Sequence, residues 1–398
     1  MQVPVVAWIL TVAGIAGLLA FDFFFHVRKA HTPTLKESAV WSAIYVGIAL
    51  LFGVGVLVLG GSEMGTEYFA GYVTEKALSV DNLFVFLIIM ASFRVPRADQ
   101  QKVLLFGIVF SLIARTAFIF LGAALINSFS WVFYIFGLIL LLTAGNLLRP
   151  DSHDDDSDGL VVRLAKKFLP ASSHYDGDKL FTVENGKRVL TPMLLVMLAI
   201  GGTDILFALD SIPAIFGLTQ NVFIVFTATA FSLMGLRQLF FLIDGLLDRL
   251  IYLSYGLATV LAFIGVKLVL HALHENTLPF INDGEHVNVV EISTATSLLV
   301  ILGVLTVTVL ASIFSPKGRA KNAVSGAKRH ATDYLDLNYE TDLAERDRIF
   351  SKMVSEEDQL RKLPEKYKRL IRNETEFMDL LRKAHAEHDE AVERQTQG

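Results

Sequence analysis

The sequence predicts an all-α polytopic membrane protein of about nine spans. Three observations carry that prediction. Hydrophobic residues make up 53% of the chain and the mean hydropathy is +0.51, both too apolar for an ordinary soluble domain. Apolar runs of span length recur near 5–25, 38–60, 69–92, 102–124, 129–148, 191–216, 221–243, 250–272 and 293–314. Basic residues alternate between the connections. Arg28, Lys29 and Lys36 lie in the first, Arg94, Arg97 and Lys102 in the third, Arg163, Lys166, Lys167, Lys187 and Arg188 in the fifth, and Arg249 in the seventh. The even connections, 61–67, 127–130, 218–221 and 274–291, contain no Lys or Arg. The positive-inside rule then places the N-terminus outside and the C-terminus in the cytoplasm.

In chain order, the first apolar run begins almost at Met1 and is followed, not preceded, by basic charge. A cleaved signal peptide has the reverse layout, so this run reads as a retained span. Residues 1–315 form the expected membrane transporter domain, with 149–190 as a cytoplasmic loop. That loop holds an acidic run, Asp151, Asp154, Asp155, Asp156 and Asp158 with His153, which reads as solvated or as a metal sensor. A basic amphipathic stretch at 161–169 suits an interfacial helix, and FTVENGKRVL (181–190) suits a hairpin turning at Asn185-Gly186. Residues 316–398 form a charged, partly helical cytoplasmic tail. Within it, helical spacing of apolar residues from about 340 to 394, including Leu360, Leu363, Tyr367 and Leu370, marks one or two amphipathic helices, suited to regulation, self-association or contact with anionic lipid.

A motif is repeated in the membrane region. Glu75 and Asp81 precede Asn82 and Leu83; Asp204 and Asp210 precede Ser211 and Ile212. Each ionisable side chain at bilayer depth costs roughly 2.5–3.5 kcal/mol on insertion scales. The two copies lie on spans that run in opposite directions. FSL followed by Arg115 also resembles FSL followed by Arg237, and Tyr134, Gly137 and Gly145 resemble Tyr255, Gly256 and Gly265. Spans three to five and six to eight therefore read as an inverted 3+3 repeat, a design that binds substrate near the midplane.

The chain has no cysteine, so a metal must be held by oxygen or imidazole. Oxygen ligands favour hard ions such as manganese, magnesium or calcium. The expected site gathers Glu75, Asp81, Asn82, Asp204, Asp210 and Ser211 around one divalent cation, Mn²⁺ in first place, with protons as candidate counter-cargo. Asp22 is a further cavity acid or a helix-end carboxylate. Residues six apart on a regular helix differ by ~240° in azimuth and ~9 Å in rise. Convergence of Asp204 with Asp210 thus needs a local break, for which Gly201-Gly202 and Pro213 are the signals. The competing reading pairs these acids with Arg115, Arg237, Lys76 and Lys267. Asp244 and Asp248 read as solvated helix ends, and Phe21, Phe23, Phe24 and Phe25 as a lipid-facing or packing cluster.

No nucleophile elbow, phosphate loop or HExxH is present, so no enzyme is expected. An intramembrane aspartyl protease remains conceivable on two aspartates alone. The additional acid in each motif and the inverted repeat argue against it. Nothing points to nucleic acid.

At FDFFFHVRKAHTPTLKESAVWSAIY (21–45), EKALSVDNLFVF (75–86), NGKRVLTP (185–192) and TDILFALDSIPAIF (203–216), the sequence resembles the TerC family of integral membrane proteins, on its Alx-like branch. The resemblance spans about residues 20–315. It implies a bacterial cytoplasmic-membrane protein connected with manganese export and, by older naming, tellurium resistance, with distant kinship to LysE-type exporters. It assigns the family's acids to Glu75, Asp81, Asp204, Asp210 and Asp22, and its neutral ligands to Asn82 and Ser211. The family often carries a Lys near Asn146; here a Lys stands only in the other half, at Lys267. An acidic cavity repels oxyanions, so any tellurium phenotype is expected to be indirect. Partners in view are the divalent ion, the lipid bilayer, a second copy of the chain, and secretion or stress-response membrane proteins. A metal-delivering scaffold that transports nothing is the remaining class.

Overall fold

The structure is a computed structural model. It describes residues 3–27, 35–93, 95–148, 172, 179–184, 187–243, 250–276, 278, 281–335, 343–362 and 374–396. The acidic run at 151–158, the stretch at 161–169, the Asn185-Gly186 turn, Asp244, Asp248, Leu363, Tyr367 and Leu370 lie outside these residues.

The first unit comprises Met1–Asp244 and Ser254–Leu305. Its helices are α1 (Val5–Asp22), α2 (Leu35–Ser92), α3 (Arg97–Ser128), α4 (Val132–Leu147), α5 (Pro192–Phe216), α6 (Val222–Leu233), α7 (Leu236–Ile243), α8 (Leu253–His274) and α9 (Thr294–Phe314), the last shared with the second unit. Among the described residues seven helical stretches, with α6 and α7 taken together as one, are long and apolar enough to cross a membrane, so the chain is an all-α polytopic membrane protein. One candidate, Lys36–Leu87, is 52 residues long, far more than the ~20 that span a bilayer. Gly61 divides it, with φ 88° and ψ 173°. Nothing lies within 4 Å of a Cβ placed there, so the backbone conformation and not crowding demands glycine.

Helix starts follow local chemistry. Pro192 occupies the first turn of α5, where its missing N–H is harmless. The Asn221 side chain caps α6 by accepting from the Phe223 amide at 3.1 Å. The span expected at 221–243 is interrupted. Met234 is extended (ψ 138°) and Gly235 has φ 77°, so α6 and α7 are separate helices. A Cβ on Gly235 would stand 2.7 Å from Tyr45 Cβ, so both conformation and space require glycine.

Every residue of α6 from Phe223 to Leu233 is buried, which makes α6 a central helix. Tyr45, Ala49, Tyr68 and Tyr72 of α2 pack with it in one aromatic-rich core, joined by Ile15 and Trp8. The periphery is apolar and outward: Leu59 is 90% exposed and Leu299 72%, the pattern of lipid-facing surface. Phe21, Phe23, Phe24 and Phe25 are exposed too, and Phe23–Val27 form a π-turn directly after α1. The hairpin is present. β1 (Phe181–Glu184) and β2 (Lys187–Leu190) pair antiparallel with Glu184 opposite Lys187, the register a two-residue connection sets.

The second unit comprises Gly245–Leu253 and Thr306–Gly398. It contains α10 (Pro316–Leu335), α11 (Leu343–Arg361) and α12 (Glu374–Thr396); the last two are the helices expected over about 340–394, and α10 precedes that segment. Ala323, Ala327 and Ala331 form a small-residue stripe in a core with Tyr334, Ile349, Met353, Leu360, Phe377, Leu381 and Ala384. Small side chains at i, i+4 let helices approach closely.

Candidate metal pathway

Two buried arginines organise the polar interior of the first unit. Arg115, on α3, is fully buried. Its Nε and Nη2 donate to Asp204 Oδ2 and Oδ1 at 3.4 and 3.3 Å, and its Nη1 donates to Ser211 Oγ at 3.1 Å. The same Nη1 forms an ion pair with Glu75 Oε1. Glu75 is 0% and Asp204 2% exposed. One guanidinium therefore joins α2, α3 and α5 and faces two carboxylates. Oε2 of Glu75 is buried without a hydrogen-bond partner among the described residues.

Helix geometry explains which residues meet. Asp204 and Ser211 are seven apart, two turns, and so share a face of α5. Asp210 is six from Asp204 and is half-buried. The break expected within 201–213 is absent: α5 runs as one helix from Pro192 to Phe216 through both glycines and Pro213. Gly201 serves contact instead, since a Cβ there would lie 2.9 Å from the Phe110 ring. Gly107 does the same for α3, with its Cβ position 2.9 Å from Ile200 Cγ2. Close approach of α3 to α5 is what lets Arg115 reach Asp204. Asn82 is 7% exposed on α2, and the Asp81 side chain lies outside the described residues.

Asp22 belongs to the second cluster. Arg237 donates to Asp22 Oδ2 from Nε at 3.1 Å and to Oδ1 from Nη2 at 2.7 Å. Tyr45 Oη and Gln238 Nε2 donate to Asp22 Oδ1 at 3.1 and 3.0 Å. Arg237 Nη1 also donates to Gln101 Oε1. All five residues are 6% exposed or less. Along α3, Gln101 and Arg115 are 14 residues apart, about 21 Å, so Asp22 is not gathered with Glu75 and Asp204. Tyr45, Gln101 and Gln238 escape sequence reasoning. The parallel FSL–Arg segments were the signal for Arg115 and Arg237, without revealing their partners.

Lys76 donates to the Ser232 carbonyl at 3.0 Å and Lys267 to the Ser297 hydroxyl at 3.2 Å, so these hydrogen bonds go to neutral groups, with Glu67 a charged neighbour of Lys267. The pairing of acids with intramembrane bases is thus what the structure shows for Glu75, Asp204 and Asp22. Among the described residues no group of three or more His, Asp or Glu stands close enough to hold a metal ion.

Residues 60–320 match the model of the integral membrane protein TerC family. An uncharacterized membrane protein of Mycobacterium tuberculosis is 59% identical over 387 residues, 96% of this chain and 98% of that protein. Alx of Escherichia coli, named as a candidate membrane-bound redox modulator, is 38% identical over 268 residues, 64% of this chain and 83% of that one. The chloroplast thylakoid membrane protein TERC of Arabidopsis thaliana is 42% identical over 238 residues, 60% and 62% respectively. No solved structure matches. With its buried acids set on packed apolar helices and the family match covering more than half its length, the chain belongs to the TerC family of integral membrane proteins.

Proposed function

We propose that the protein exports a divalent metal ion, Mn²⁺ in first place, across the bacterial cytoplasmic membrane, through a midplane site of Glu75, Asp81, Asn82, Asp204, Asp210 and Ser211. The observation that supports this reading most is Glu75: a fully buried carboxylate that shares the Arg115 guanidinium with Asp204 and has an oxygen with no hydrogen bond among the described residues. A buried carboxylate left half-satisfied is costly, and a hard cation with oxygen ligands supplies what it lacks. A cation entering there competes with Arg115 for the same carboxylates. Asp22, held by Arg237, acts elsewhere on the pathway.

The same reading takes the Gly61 break as the boundary between spans two and three and Val132–Leu147 as the fifth span. The total is then about nine, with the N-terminus outside and the tail in the cytoplasm. Arg115 and Arg237 are equivalent positions of the inverted repeat, each buried against a carboxylate.

The test is Mn²⁺ uptake by proteoliposomes with a pH gradient imposed in each direction, which also reports whether protons move in exchange. A second reading, a scaffold that holds metal for secretion or stress-response partners, draws on the separate helical core of the tail and on the redox-modulator name of the Escherichia coli relative. With no cysteine, this chain has no thiol with which to influence redox balance. Liposomes that bind Mn²⁺ and pass none select the scaffold.

A further inference from the structure

Buried hydroxyls without partners occur in the segments between the two arginine clusters. Ser79, Ser111 and Ser232 are 0–2% exposed, and the Oγ of each has no hydrogen-bond partner among the described residues. Ser79 lies one turn after Glu75 on α2, and Ser111 one turn before Arg115 on α3. Both steps run toward the α2–α3 connection, from which Glu75 and Arg115 are nearly equidistant in sequence. Both serines therefore sit about 6 Å from the Glu75–Arg115 contact, toward the same end. Lys76 Nζ reaches the Ser232 carbonyl at 3.0 Å, which brings this turn of α6 to the same level of α2. From there Arg237 is five residues further along the chain, and Gln101 is ten residues before Ser111. At that end Gln238 Oε1, Ser38 Oγ and Ser42 Oγ are also buried with no hydrogen-bond partner among the described residues, and residues 38, 42 and 45 share a face of α2. Unsatisfied buried polar groups are rare in folded proteins. A series leading from one charged cluster to another is what a polar route for a hydrated ion requires.

The backbone is irregular at both partners of the Asp22–Arg237 pair. The π-turn Phe23–Val27 begins directly after Asp22, and Gly235 precedes Arg237 by two residues with φ 77°. Such irregularities re-aim helices and concentrate at functional positions. Within a membrane they are tolerated where protein buries them or a cavity adjoins them.

We infer that Asp22 and Arg237 are the bolt of a gate that closes a polar route leading a hydrated divalent cation to the Glu75–Arg115–Asp204 cluster. Tyr45, Gln101 and Gln238 are positioning residues that hold the bolt shut, tying α1, α2, α3 and α7 to one ion pair. The identity of the cargo rests on the transport reading above; the closure does not.

The absence of native cysteine makes the test direct. Ser111→Cys is introduced into the full-length protein and its reaction rate with a cationic methanethiosulfonate reagent is measured in detergent. Leu104→Cys, 1% exposed on the same helix, is the control. Adding Arg237→Gln is expected to raise the Ser111→Cys rate by about tenfold or more, because local opening sets access to a buried thiol, and to leave Leu104→Cys slow. Adding Tyr45→Phe removes one bond to Asp22 and is expected to give a smaller rise at the same position. This variant decides the question where Arg237→Gln yields no monodisperse protein. An unchanged Ser111→Cys rate overturns the gate, as does an equal rise at Leu104→Cys, which means general loosening. Labelling requires no transport. A protein that shows the shift but moves no Mn²⁺ keeps the gate and loses the cargo reading; flux without the shift does the reverse.

Discussion

Replacing Arg115 by glutamine tests the ion cluster at its centre. The guanidinium contacts Glu75 and Asp204, both essentially inaccessible to water, and Arg115→Gln leaves two carboxylates with no fixed positive partner. Removing one member of a buried pair costs ~3–5 kcal/mol, because the remaining charge stays uncompensated. At about 2–4 °C per kcal/mol for a domain of this size, the apparent Tm in detergent falls by roughly 6–20 °C. Two further arms fix the cause. Adding Glu75→Gln removes the excess charge and is expected to recover at least half of the loss. A divalent cation bound by the two carboxylates left without Arg115 adds about 2.7 kcal/mol at 100 times its Kd, so MnCl₂ raises the Tm of Arg115→Gln more than that of the parent, in which Arg115 competes. The assay is thermal unfolding followed by intrinsic fluorescence. A variant that melts with the parent protein, or an equal response of both to MnCl₂, refutes the idea that Arg115 and cargo share these carboxylates.

Other perturbations follow from the same geometry. Glu75→Gln, Asp81→Asn, Asp204→Asn and Asp210→Asn each remove a charged ligand worth ~1.5–3 kcal/mol, so Mn²⁺ flux in proteoliposomes drops about tenfold or more for each; wild-type rates in correctly inserted protein count against the site. Gly137→Val drives a Cβ to 2.8 Å from Val269 Cγ2 and 2.9 Å from the Gly265 carbonyl, and overpacking of this kind lowers stability by ~1–3 kcal/mol, whereas Gly14→Ala meets nothing within 4 Å and leaves the Tm unchanged. In the tail, burial raises the Glu357 carboxyl, but hydrogen bonds from His385 at 2.8 Å and Arg361 at 3.0 Å outweigh it and hold the group below its usual value. A depressed folded-state pKa contributes stability above the unfolded value of about 4.3 and loses it as pH falls through the folded one. Protection of the α11 amides against hydrogen exchange in the full-length protein, each rate referred to the unfolded-chain rate at the same pH, therefore falls on acidification below the usual carboxylate range, and Glu357→Gln removes that acid-linked change.

Sequence periodicity exposed the membrane helices because lipid imposes long apolar runs, and the hairpin was legible because an Asn-Gly pair between two strand-like runs is a hairpin signal. It did not separate α6 from α7. Gly235 reads as one more glycine in an apolar stretch until Tyr45 is seen packed against it. Gly201, Gly202 and Pro213 misled in the other direction: glycine in a membrane helix also answers to a neighbouring helix, here to Phe110, and Pro213 lies close enough to the end of α5 to be accommodated. The acids Glu75, Asp204 and Asp22 were visible from their cost in lipid. Their partners were not, because helical spacing gives the face a side chain occupies and not which of several buried bases reaches it. Thus Asp22 reads from sequence as one more ligand, while the fold holds it with Arg237, Tyr45 and Gln238. Helix α10 was hidden by its polar composition; its buried face is alanine, which carries little hydrophobic signal.

Transport is tested most directly by Mn²⁺ flux into liposomes holding the purified full-length protein, compared with Glu75→Gln and Asp204→Asn in the same lipid. Saturable Mn²⁺ movement by the parent protein and its loss in both variants is the predicted result. Vesicles in which the parent binds Mn²⁺ but passes none, or in which both variants match it, contradict the claim that these buried carboxylates carry a metal ion across the membrane.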